Sequence, residues 1–287
     1  MRITNRMLHD QALAGLARNV DALARAQERV GTGRRLNRLS DDPAQVSNAV
    51  NLRGSLAELE QYVRNIDAAE RRLSAAEAAL GSAGDIVLRA HELAVQGAND
   101  TLSASDRQMI GAEISQLLNT LVELSATRVA GAYIFSGFRT DVRPYATAGG
   151  PYQGDNGAIM ARTAPGTTIQ VNVSADVVFA PAIDALVDLA AEMTAGTRTS
   201  AATISALEAG QDALLVGRAR IGATQAGLAE TRSYLEGGML ASTRLLSDLE
   251  DADMAEVISE LTQREATYQA ALQVNARILK RSLLDEL

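Results

Sequence analysis

The chain has 287 residues, 47% of them hydrophobic but only 3% aromatic, with neither Trp nor Cys. Disulfides, thiolate metal sites and cysteine nucleophiles are thereby excluded, and a net charge of -8 argues against non-specific nucleic-acid binding, which needs a basic surface. No apolar run is long enough to span a bilayer, and the opening MRITNRMLHDQALAG lacks the apolar core of a cleaved signal peptide, so neither is expected.

In chain order, Leu13, Leu16, Val20, Leu23 and Val30 recur in steps of three and four, with Gln27 as a polar interruption, which predicts a first amphipathic helix with a narrow seam. Residues 1–40 carry eight Arg against three acids, whereas residues 245–287 carry four basic against nine acidic groups, so the two ends are electrostatically complementary. Gly31 and Gly33 in RVGTGRR read as the end of the first helix, because no strand precedes them and no phosphate-loop Lys follows.

The stretch RRLNRLSDDPAQ places two carboxylates before a proline. Proline suits the first helical turn and an Asp before it can accept from free amides. Asp42, Pro43 and Gln45 therefore read as a helix joint, with Asp42 as N-cap, Gln45 completing a capping box, and Asp41 outside it. A calcium loop needs oxygen ligands at alternating positions, a turn Gly and a distant Glu, and this stretch lacks that series. The same grammar at Ser105-Asp106-Arg107-Gln108 and at Asp253-Met254-Ala255-Glu256 predicts two further helix starts.

Beyond the joint, Leu52, Leu56, Leu59, Val63, Ile66, Leu73 and Leu80 form a second run interrupted by Glu70 and Glu77, and Ile110, Ile114, Leu117, Leu121 and Leu124 a third. HELAV, at 91–95, is half of a zinc-hydrolase signature, but Val95 stands where the second imidazole belongs, so His91 is expected on a helix face. Four of five prolines and six of nine Tyr and Phe fall within 133–181. There TTIQVNVSADVVF, rich in β-branched residues, predicts one or two strands of a small β-rich insert at 136–181. Tyr152 and Asp155 are the acid–base candidates in that insert, without partners at a recognisable spacing.

After residue 200, Leu207, Leu214, Ile221, Leu228 and Leu235 stand seven apart, with Gln211, Arg218, Gln225 and Arg232 at the alternate seam positions. A last stripe, Met254, Ile258, Leu261, Tyr268, Leu272 and Leu279, is broken by Glu265 and Asn275. The composition predicts a mainly α chain that begins and ends in amphipathic helix.

VGTGRRLNRLSDDPA, LRAHELAVQGAND and the C-terminal LEDADMAEVISELTQREATYQAALQVNARILKRSLLDEL resemble the conserved blocks of the flagellin superfamily, and GAYIFSGFRTDVRPY with YQGDNGAI is more similar to its hook-associated protein 3 branch. The resemblance implies a long antiparallel helical coiled-coil rod of flagellin type with a small inserted β-rich domain. In that scheme 1–40 and 245–287 form a terminal assembly domain, 41–135 and 182–244 a helical rod, and 136–181 the insert.

It further implies a non-enzymatic structural subunit without metal or cofactor, at the hook–filament junction or, alternatively, in a filament of flagellin. The implied partners are hook-associated protein 1 on the hook side, flagellin on the filament side, copies of the chain itself in a ring, and a cytosolic export chaperone at 254–284. Neither nucleic acid nor a membrane is implied. The implied place is the extracellular flagellum, reached by flagellar type III export. The assembly interface then falls on Leu13, Leu16, Val20 and Leu23 with Met254, Ile258, Leu261, Tyr268, Leu272 and Leu279. LRAHELAVQGAND also resembles the flagellin region recognised by vertebrate innate immune receptors, with Arg89 and Leu93 at matching positions, although a rod-packing helix accounts for the same residues.

Overall fold

The structure, a computed structural model, describes the backbone of residues 5–284 and the side chains of residues 7 and 10–277. Helices dominate: α1 (Asn5–Thr32), α2 (Pro43–Gly97), α3 (Ala104–Ser125), α4 (Ala175–Val178), α5 (Ala180–Thr194), α6 (Ala201–Glu250) and α7 (Met254–Leu284). Two antiparallel hairpins interrupt them, β1 (Arg128–Val129) with β2 (Ala132–Tyr133), and β3 (Met160–Ala164) with β4 (Thr167–Gln170). None of the described helices is long and apolar enough to cross a membrane. The residues separate into two compact units, Met1–Glu58 with Gly238–Leu287, and Leu59–Gly237.

In the second unit α2 and α6 run antiparallel. Leu207, Leu214, Ile221, Leu228 and Leu235 are each at most 1% exposed, and from α2 Ile66, Leu73, Leu80 and Val87 share their core. Each such side chain gains about 1.5–3 kcal/mol over an exposed one, so this seam is the principal source of stability for the pair.

The alternate seam positions are polar and find polar partners. Arg232 reaches Asp67 and, at 2.8 Å, Glu70; Arg218 reaches Glu77 at 2.6 Å; and Gln225 donates to the Ser74 hydroxyl at 3.2 Å. The interruptions expected in both helices, Glu70 and Glu77 on one and Arg218 and Arg232 on the other, thus meet as rungs. Such rungs favour one alignment of the pair, because an apolar residue slipped opposite Arg232 would leave a partly buried guanidinium unpaired.

Helix α3 starts two residues earlier than its sequence suggests. Ser103, not Ser105, is the N-cap: its hydroxyl accepts from the Asp106 N–H at 3.1 Å, and the Asp106 carboxylate accepts from the Ser103 N–H at 3.1 Å. The reciprocal bonds close a capping box with Asp in the position usually held by Glu or Gln. Asp106, held by the hydroxyl and amide of Ser103, titrates below the usual carboxylate value.

The β1–β2 turn has positive φ at both central residues, Ala130 (51°) and Gly131 (85°), the geometry that lets a two-residue turn follow the strand twist. Ala130 is the only non-Gly residue at positive φ among the described residues. Since an L side chain in that region costs roughly 1 kcal/mol, Ala130→Gly is expected to raise the thermal midpoint by a measurable amount, about 0.5–1 kcal/mol in stability.

The insert is less regular than its composition suggests. In TTIQVNVSADVVF only Thr167–Gln170 is strand; Val171 and Asn172 continue extended, with Asn172 pairing to Gly157 and Ile159, and Ala175–Val178 turns helical. Burial overrides β-propensity there, because Val178 and Phe179 enter the core at 2% and 0% exposure, and Phe179 packs edge-on to Phe135 with centroids 5.0 Å apart.

Candidate assembly interface

In the first unit the helix joint is a dense polar knot. Helix α1 ends at Thr32, and Gly33, at φ 67°, donates its N–H to the Arg29 carbonyl at 2.9 Å, an end that only a residue free to adopt positive φ makes without strain. The chain then lies beside the end of α6: Arg35 N–H donates to the Glu250 carbonyl at 2.6 Å, Ala252 N–H donates to the Gly33 carbonyl at 3.0 Å, and the backbones of Arg34 and Asp251 stand paired in an isolated antiparallel β-bridge.

The Asp42 carboxylate accepts from the Ala44 and Gln45 N–H groups, both at 3.1 Å, and α2 begins at Pro43. The Gln45 carboxamide oxygen accepts from the Arg35 guanidinium at 2.6 Å and so serves the chain crossing, where a capping box was expected. Asp253 caps α7, accepting from Ala255 at 2.9 Å and Glu256 at 3.4 Å. Glu250, only 4% exposed, is matched by Arg53 at 2.6 Å and Arg34 at 3.8 Å.

Asp41 is not a bystander. Its carboxylate accepts from the N–H groups of Asn37 and Arg38 at 3.1 and 2.9 Å, folding the turn back on itself. The amide bond from Arg38 is the main cause that holds its titration below the usual 3.8. A carboxyl depressed in the folded state stabilises above its unfolded value and loses that contribution as pH falls through the folded one. Carboxyl NMR should place the Asp41 midpoint below 3.8, and Asp41→Asn should flatten the acid limb of the stability curve.

The α1–α7 pair divides the terminal stripes between two faces. Leu16, Leu23, Leu261 and Tyr268 are half-buried, whereas Leu13 (50%), Val20 (44%), Met254 (39%), Ile258 (50%) and Leu272 (41%) stay exposed. Leu279 has its side chain outside the described residues. The centre of the pair is held by Ala26 and Val257, 0% and 5% exposed, and by Arg29 against Glu260 at 2.8 Å; Asn275 donates to the Ala12 carbonyl at 3.4 Å. A pattern built on large side chains passes over Ala26, and Val257 lies one position off the predicted stripe. Alanine at helical spacing on a basic helix, facing a Val–Glu face on an acidic one, is the signal that would have located it.

The remaining candidates are structurally engaged. Asp155 accepts from the Phe138 and Gly157 N–H groups at 2.7 and 2.9 Å. The Tyr152 hydroxyl donates to the Phe135 or Asp155 carbonyl, both at 2.9 Å, and burial pushes it up to about 12. His91 lies on α2 with its ring 3.9 Å from Glu208. Leu93 is 2% exposed in the core, and Arg89 pairs with Glu113 at 2.8 Å and Glu92 at 3.0 Å.

Residues 3–140, a span that takes in α1 to β2, match the bacterial flagellin N-terminal helical region, and other relatives align over nearly the whole chain. The flagellar hook-associated protein 3 of Escherichia coli is 26% identical over 300 residues, 94% of this chain and 95% of that protein. The chain is thus similar to flagellins and to a hook-associated relative over nearly its whole length. A Listeria monocytogenes flagellin is 25% identical over 292 residues, 95% of this chain and 93% of its own. Among solved structures, FlgL of Bacillus cereus shares the fold, with a TM-score of 0.62 and 24% identity over 69% of this chain and 99% of that one. The matched region takes in α1, the joint and α2, and the hairpin-bearing 128–173 segment separates the two passages of helix.

Proposed function

We propose that the chain is a flagellin-family structural subunit of the bacterial flagellum, forming the junction layer between hook and filament by coupled folding and assembly of its terminal helices. The observation that carries the reading is the contrast between two seams. In α6 five heptad residues are at most 1% exposed, yet in α1 and α7 Leu13, Val20, Met254, Ile258 and Leu272 are 39–50% exposed. Ala26 and Val257 are the fully buried apolar residues among the described side chains of that pair. So small a seam leaves two long helices marginal in water, and the open apolar row is the kind of surface that marks a protein partner. Ordering of the ends is then coupled to their burial between neighbours.

In this reading 1–40 and 245–287 are the assembly domain, 41–135 and 182–244 the rod, and 136–181 the projecting insert. The subunit is extracellular and non-enzymatic. It contacts hook-associated protein 1 on the hook side, flagellin on the filament side and copies of itself in a ring. Before export by the flagellar type III route, a cytosolic chaperone covers 254–284 and shields the same apolar row. A chaperone that still bound a chain lacking 250–287 would contradict that assignment.

The alternative is a filament-forming flagellin, favoured by the nearly full-length similarity to the Listeria protein. A strain deleted for this chain separates the two: hooks that remain while filaments are shed into the medium are expected for a junction subunit, and attached filaments of normal length would overturn it. Seeding purified chain on hook fragments should add a limited layer; long fibres would identify flagellin instead.

A further inference from the structure

The joint presents a large apolar side chain to water from an unusually rigid support. Leu39 is 75% exposed. The turn that carries it is clamped by the Asp41 carboxylate on Asn37 and Arg38 N–H, by Asp41 N–H on the Arg38 carbonyl at 3.0 Å, and by the Asn37 carboxamide on the Arg34 carbonyl at 3.0 Å. The guanidinium groups of Arg34 and Arg38 flank it, still 52% and 56% exposed despite their pairs with Glu250 and Glu28. A Leu held out on a turn clamped in this way is a preorganised anchor, which loses little entropy on docking.

The same unit carries a matching slot. Between the early turns of α2 and the last turns of α6 lies a groove of about 450 Å³, where Leu52, Leu245 and Leu249 meet Asn48, Asn51, Ser55 and Asp248. Its lining is mostly apolar, Leu245 is 54% exposed, and Asp248 at its rim is exposed with no ion pair among the described residues. The turn offers an apolar knob beside cations; the groove offers an apolar slot beside an anion.

We propose that Leu39 of one subunit docks into this groove on the next copy, with Asp248 facing the Arg34–Arg38 pair. The inference rests on the junction reading and specifies one contact of its ring. Knob and groove are different patches, so the contact is heterologous, head to tail; such contacts build rings or helical walls, whereas a self-complementary patch stops at a dimer.

The chain has no Cys, so introduced thiols report cleanly. Leu39→Cys together with Leu245→Cys, expressed as full chain in the deletion strain and oxidised on isolated flagella, is expected to give a ladder of covalent multimers, with no ladder beyond dimer from either single variant. Leu39→Glu is expected to keep the melting temperature and lower attached filaments at least tenfold, and Leu39→Met to restore them. Attached filaments without a ladder, or undiminished attachment in Leu39→Glu, would overturn the contact while leaving the junction reading intact. Failure of the unsubstituted chain to attach filaments in that strain would instead overturn the reading.

Discussion

Leu272→Asp is expected to yield a chain that folds with unchanged helix content and leaves essentially no filament attached. Leu272 is 41% exposed in the isolated chain, so a carboxylate there meets water and should change stability by no more than about 0.5 kcal/mol. In the proposed assembly the same position is dry. Burying an unpaired carboxylate costs several kcal/mol or forces its protonation, at every subunit, which outweighs the about 1.5–3 kcal/mol a buried Leu supplies. Circular dichroism and thermal melting check the first half, and electron microscopy of a complemented deletion strain the second. Filaments of normal length on that strain would remove the assembly role of the α7 row.

Gly137→Ala is the largest destabilisation expected from one methyl group. Gly137 sits at φ 66°, and a Cβ there would lie 2.1 Å from both the backbone oxygen and a carboxylate oxygen of Asp155. The first fault costs about 1–2 kcal/mol for an L residue. The second cannot be relieved by rotating a side chain alone, because one clashing atom is backbone. It also separates Asp155 from the Phe138 and Gly157 amides it now serves, so the total should exceed about 3 kcal/mol. A fall in the cooperative melting temperature of the second unit, with Phe135 and Phe179 released from their edge-on packing, would register it.

The helical frame is legible because heptads extend over many turns. Leu207 to Leu235 keep their spacing across four repeats, and a period that long has one structural meaning. The polar interruptions are equally visible, but their pairing is not: which Arg faces which acid depends on the relative stagger of α2 and α6, which no single-chain pattern encodes. Local grammar also fails where two solutions overlap. Ser103 with Asp106 and Ser105 with Gln108 offer the same spacing, and the choice is settled by where the preceding loop delivers the backbone. Asp41 was unreadable for a related reason, since its hydrogen bonds run backward into a turn whose closure exists only after folding. In the terminal helices small residues mislead: Ala26 takes the innermost place, whereas Leu23 is only half-buried and Leu13, Val20, Ile258 and Leu272 stay exposed.

Where the chain passes the joint twice, the backbone bonds from Arg35 to Glu250 and from Ala252 to Gly33 tie the outgoing passage to the returning one. A pull delivered along α1 is consequently shared with α7 before it reaches either long helix, and the crosstie must shear before one passage can be drawn out past the other. In the proposed junction subunit, that arrangement lets the outgoing and returning passages carry load together.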